Sequence, residues 1–224
     1  MSHDQETTIA DVLRGRMATY QFLSRLFRVE VDQELYDTLM SMRFPANTGN
    51  ALVDEGYRMI CGYLSQADGT VLTELAVDYV RAFIGSGNDG FSAAYPYESV
   101  YTSEEHLLMQ DARDSAVAFY LGEELGLPAD NTTPEDHLSF EFQFMAKLIE
   151  RASAALDAGD EARYAELCAK QRTFFDEHLV NWVPRLCADV RAYAQTAFYR
   201  GVADITEGFL QLEDQMIGQS AQAA

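Results

Sequence analysis

Glu135, Asp136, His137 and Glu141 are the residues of this chain whose types and spacing come nearest to a reactive site. On a helix His137 and Glu141 share one face, as two metal ligands or an acid and its base would. A zinc site needs three or four ligands, however, and His3, His106 and His178 supply none at ligand spacing; an HExxH pattern is absent. Helix capping explains part of the same cluster. Thr133 suits the N-cap, Pro134 the first helical position, where no N–H is needed, and Asp136 the positive end of the dipole. His137 gains nothing from that dipole, so capping leaves it over.

The second candidate is the stretch Tyr95-Pro96-Tyr97-Glu98-Ser99-Val100-Tyr101. Tyrosines bring large contact area, polar tips and little entropic loss, a composition that recurs at peptide-binding surfaces. A loop lying over the core with its hydroxyls bonded to backbone accounts for it equally well. Other templates fail. GSGNDG at 85–90 lacks a following Lys-Ser/Thr and so is no phosphate loop, there is no G-x-S-x-G elbow, and no cysteine has a sequence-adjacent histidine to activate it.

The elements that must position these residues read as helices throughout, without apolar–polar alternation of strand type. Ile9, Leu13, Met17, Tyr20 and Phe27 mark a long first helix. Asp32 caps a short second, and Asn47 or Thr48 starts a third through Leu52, Ile60 and Leu64. A fourth, through Leu75, Tyr79 and Phe83, ends at Gly85, where a glycine-rich break begins. Thr102 and Glu105 form a capping box for a helix running through Leu108, Ala116 and Phe119 to about Gly126. After a second break, GLPADNTT, Thr133 caps a helix through Leu138, Phe142 and Met145. Gly159-Asp160 separates it from another ending near Leu179. Pro184 then opens one through Phe198, and a last one follows Gly201. The expectation is an all-α bundle of about nine or ten helices. It divides into an N-terminal region 1–126, a hinge 127–133, a C-terminal region 134–218 packed with the first as one globular unit, and a tail 219–224.

With 36 acidic against 16 basic residues, a net charge of −20, the chain repels nucleic acid and anionic membrane and attracts a cationic partner. MSHDQETT has neither the basic start nor the apolar core of a secretory signal, and no apolar run approaches a membrane span. Cys61, Cys168 and Cys187 are odd in number and far apart, as in reduced core thiols of a cytoplasmic protein.

Pro96-Tyr97-Glu98-Ser99-Val100-Tyr101 and Pro134-Glu135-Asp136-His137-Leu138, with Met145 beyond, resemble the paired signature of the TorD/DmsD/NarJ chaperones. The flanks agree in order: YQFLSRLF from Tyr20, DYVRAFIG from Asp78, FFDEHLVNWVP from Phe174, then Ala197-Phe198-Tyr199 and Phe209-Leu210. The resemblance spans nearly the whole chain and is nearer the TorD and DmsD branch than the NarJ branch. Thr133 departs from the Glu common there, and the stretch between Ala82 and Tyr95 is where members differ.

The resemblance implies a TorD-like, non-enzymatic cytoplasmic chaperone with no cofactor or metal of its own. Its partner would be the precursor of an exported molybdopterin oxidoreductase. It would bind the twin-arginine signal peptide, and sometimes the apo-enzyme body, and delay export until cofactor is inserted. It also implies domain-swapped homodimers about 126–133 and weak guanine-nucleotide binding. In such a site Glu98, Asp136 and Glu135 would meet the arginines, while Tyr95, Tyr97 and Tyr101, with Ser99 among them, line the apolar path. His137 would position Asp136 or touch the peptide. The competing expectation is a metal-dependent hydrolase using Asp136, His137 and Glu141.

Overall fold

The computed structural model describes residues 8–85 and 93–220, with side chains described to residue 217. His3, most of the glycine-rich break at 85–90 and the tail 221–224 lie outside them. Ten α-helices occur among the described residues: α1 Ile9–Arg28, α2 Gln33–Ser41, α3 Ala51–Leu64, α4 Val71–Tyr79, α5 Glu98–Thr102, α6 Asp111–Gly122, α7 Leu138–Asp157, α8 Glu161–His178, α9 Val183–Tyr193 and α10 Ala197–Ser220. The all-α expectation holds.

Local chemistry sets many of the boundaries. Thr8 and Asp11 exchange bonds in a capping box at the start of α1. Asp32 caps α2 as expected, whereas α3 is capped by Asn50, a little beyond the two residues expected. The last turn of α4 widens into a π-turn, Val80–Ile84, which ends at Gly85 with φ +73°, a conformation glycine adopts freely. Its Ala82 carbonyl takes the Ala94 N–H at 2.7 Å, bringing the tyrosine-rich segment back beside this helix.

Three further boundaries differ from the sequence expectation. No helix starts at Thr102: its hydroxyl donates back to the Glu98 carbonyl, closing the short α5. His106 and Met109 then take left-handed φ values of 53° and 60°, which no helix tolerates, so α6 waits until Asp111. The last two helices part at Ala194–Thr196, not at Gly201. There the Asp78 carboxylate, reaching over from α4, accepts the N–H groups of Gln195 and Thr196, both at 2.8 Å. Gly201 serves packing instead. A Cβ on it would stand 2.6 Å from the Gly56 carbonyl oxygen, and one on Gly56 would stand 2.5 Å from that of Gly201. Helices α3 and α10 therefore touch backbone to backbone. The third difference, the start of α7, belongs to the site.

The central layer is α1 against α7 and α10 against α3, with α8 covering α7 and α9 covering α10. Tyr20 on α1 meets Phe142 of α7 and Phe209 of α10 edge-on, at 5.5 and 4.8 Å between ring centroids, which joins the two pairs through one aromatic core. No helix among the described residues is long and apolar enough to cross a membrane.

Candidate functional site

The two signature segments are joined to each other directly. The Glu98 N–H donates to the Asp136 carbonyl at 3.0 Å and the Leu138 N–H to the Pro96 carbonyl at 2.9 Å, an antiparallel bridge that pairs Tyr97 with His137. This pairing explains why α7 starts at Leu138 and not after Thr133. Asp136 and Leu138 give backbone groups to the neighbouring segment that a helix would need for itself.

The caps are redistributed accordingly. Asp136 does cap a helix, but it is α5: its Oδ2 accepts the Ser99 N–H at 2.9 Å. The cap of α7 is His137, whose Nδ1 accepts the Ser139 N–H at 3.1 Å and lies 2.8 Å from the Ser139 hydroxyl. Burial pushes the His137 pKa down to about 3, so the ring is neutral and Nδ1 is free to accept. Tyr97 packs edge-on against that ring at 4.9 Å.

Behind the join lies a buried polar cluster. The Glu98 carboxylate is 2.7 Å from His178 Nδ1, and the Ser115 hydroxyl is 3.1 Å from His178 Nε2. Glu141 is fully buried on α7, and neither of its carboxylate oxygens has a hydrogen-bond partner. Burial first, then the nearby charges of Glu98 and Asp136, push its carboxyl well above the usual range, toward the neutral form. Donor atoms of Glu98, Glu141 and His178 all lie within 4.8 Å of one another. The hydrolase trio is not formed: Asp136 holds α5, His137 holds Ser139, and the residue that joins Glu141 is His178. Its spacing from Glu98 and Glu141 carries no signal in the sequence. Only the packing of α8 onto α7 brings it in.

The tyrosines occupy the outer side of the join. Tyr95, Val100 and Tyr101 line an open groove of about 500 Å³ with Arg185, Ala188 and Asp189 of α9. The Tyr101 hydroxyl donates to Asp189 Oδ2 at 2.9 Å, its ring lies 5.5 Å from that of Trp182, and the Arg185 guanidinium stands 5.8 Å above it. Glu135 faces elsewhere, along the cleft beside residues 126–131, in a two-bond pair with Arg113 at 2.6 and 2.9 Å. The expected site residues therefore fall into three places. Tyr95 and Tyr101 line the groove, Tyr97, Glu98, Ser99, Asp136 and His137 build the join beneath it, and Glu135 lies in a separate cleft. Glu98 and Asp136, expected as arginine acceptors at a groove mouth, are buried and bonded within the join.

A family model described as nitrate reductase delta subunit matches residues 50–188, which include both signature segments. The chaperone protein TorD of Photobacterium profundum is 34% identical over 143 residues, a match that spans only 62% of this chain and 62% of that protein. TorD of Vibrio vulnificus is 26% identical over 216 residues, covering 91% of this chain and 95% of the relative. TorD of a Psychrobacter species is 27% identical over 153 residues, 67% of this chain and 65% of its own length. These relatives are named as chaperones, in agreement with the expectation of a non-enzymatic protein. The chain belongs to the nitrate reductase delta subunit family, that of the TorD and NarJ chaperones.

Proposed function

We propose that this protein is a cytoplasmic maturation chaperone for a molybdopterin-containing oxidoreductase exported by the twin-arginine route, and that it binds the precursor's signal peptide in the groove beside Tyr95 and Tyr101. The observation that carries the reading is the bridge between Tyr97 and His137, because it makes one wall out of two segments far apart in sequence. The apolar stretch of the signal lies in the groove as a helix against Tyr95, Val100 and Tyr101. The paired arginines meet carboxylates at its rim by fork-shaped bonds that lysine matches poorly. Asp189, half-buried in the groove, is the carboxylate placed for that role. Glu98, Ser99, Asp136 and His137 position the wall, and the net charge of −20 draws the cationic peptide in.

The expected division at 127–133 belongs to the same proposal. α7 packs on α1 and α10 on α3, both across that division, so two copies that exchange 134–218 rebuild both interfaces between them.

Co-purification with the enzyme precursor tests the reading. A precursor with its signal peptide is retained, and one without it is retained less or not at all. Equal retention of both would remove the signal peptide as the ligand.

A further inference from the structure

We propose that Glu98, Glu141 and His178 form a binding site for one divalent transition-metal ion of the zinc class. Three donors, two carboxylate oxygens and one imidazole nitrogen, come within 4.8 Å of one another from α5, α7 and α8. Ligands set tetrahedrally around a metal at about 2.0–2.2 Å stand roughly 3.3–3.6 Å apart, so small side-chain shifts within this limit close the site on an ion.

Glu141 is the second and independent observation. It is 0% exposed and aims into the cluster, where the Glu98 carboxyl and the Trp182 side chain lie beside it but no donor reaches either oxygen in full hydrogen-bonding geometry. Leaving a buried polar group unpaired costs about 1–3 kcal/mol, so such groups call for an explanation. A cation between the three side chains supplies one: it gives the Glu141 carboxylate a partner and replaces the direct contact between Glu98 and His178. His178 is arranged as a ligand would be. Nδ1 faces the cluster while Nε2 bonds the Ser115 hydroxyl, the outer partner that fixes ring orientation in metal-binding histidines. The ring is held further by Phe174, stacked 4.7 Å away. Two hard oxygens and one imidazole, without thiolate, suit Zn²⁺, Mn²⁺ or Fe²⁺ more than Cu⁺. Three protein ligands leave a coordination position open to water. The buried Cys187 is not among the donors.

Bound there, the ion ties α5, and hence the wall that carries Tyr97 and Tyr101, to α7 and α8. This inference does not depend on which peptide the groove takes.

The test uses the full chain, stripped with chelator and titrated with Zn²⁺ alone, then with Co²⁺ as a spectroscopic stand-in. The expected result is about one ion per chain retained through desalting, with a Co²⁺ spectrum of oxygen and nitrogen ligation and no thiolate charge-transfer band. Affinity falls at least about tenfold in Glu141→Gln and in His178→Gln. Glu141→Gln keeps shape and neutrality, so it tests the site without depending on a variant that fails to fold. No retained ion, a thiolate band, or equal retention by Glu141→Gln would each overturn the proposal.

Discussion

The Ser99 N–H, at the start of α5, is capped by the carboxylate of Asp136, at 2.9 Å and from the segment ahead of α7. One side chain thus holds together the two stretches that the sequence offers as separate candidates. Asp136→Ala strands that buried N–H and is expected to destabilise the chain by about 1–3 kcal/mol. At this chain length each kcal/mol lowers Tm by roughly 2–4 °C. Asp136→Asn keeps an acceptor and should lose less. Thermal melts of the two variants check this, and an alanine variant melting with the wild type would show that the cap holds nothing.

Gly56 and Gly62 sit on the same helix in opposite surroundings. A Cβ at Gly56 would press on the α10 backbone, while one at Gly62 meets nothing within 4 Å. Gly56→Ala should cost at least about 1–3 kcal/mol by overpacking. Gly62→Ala should stabilise by about 0.5–1 kcal/mol, from helix propensity. Urea unfolding of both compares them directly, and equal midpoints would contradict the close approach of α3 and α10.

His137 makes stability depend on pH in a definite direction. Burial holds its pKa at about 3 in the folded chain, against 6.5 ordinarily. Between those values the unfolded chain binds the extra proton, so folding loses stability as pH falls through the window. The slope from this one group reaches about 1.4 kcal/mol per pH unit. His137→Gln should flatten the acid side of the stability curve, and parallel curves for the two proteins would contradict it.

Glu141 acts in the opposite sense. Its folded pKa is raised, so the folded chain keeps a proton that the unfolded chain releases above the ordinary value of 4.5. Its contribution is fully present below that value and is lost as pH rises above it. In chelator, Glu141→Gln should therefore be more stable than the wild type at about pH 7, and the gap should close toward about pH 4. A variant less stable at neutral pH would mean that Glu141 is ionised and paired.

Arg185 already places a guanidinium over Tyr101, where an arriving cationic peptide would compete with it. Arg185→Gln should tighten peptide binding and leave folding unchanged. Calorimetry checks this, and weakened binding would show that Arg185 itself contacts the peptide.

The helical framework was legible because its signals are local: the apolar period of 3.6, the cap at Asp32, the break at Gly159-Asp160 and the stop at Gly85. Two of the boundaries differ because a distant group supplies the cap or the pairing. Asp78 divides α9 from α10, and the bridge at Tyr97 delays α7, and neither leaves a mark in the adjacent sequence. Gly201 misled for a related reason, since its missing side chain serves a neighbouring helix and ends none. At the site, residue types could be read but not their orientation. Glu98 and Asp136, expected from the resemblance to meet a peptide's arginines, are buried here and bonded between the two segments, and His178 joins them only through packing.

Calorimetric titration with a twin-arginine signal peptide tests the central claim most directly, run on the wild type and on Tyr101→Ala, and repeated with both peptide arginines changed to lysine. The account predicts saturable binding of one peptide per chain, weakened about tenfold or more, roughly 1.4 kcal/mol, by either change. Absence of binding, or an affinity that neither change alters, would contradict it.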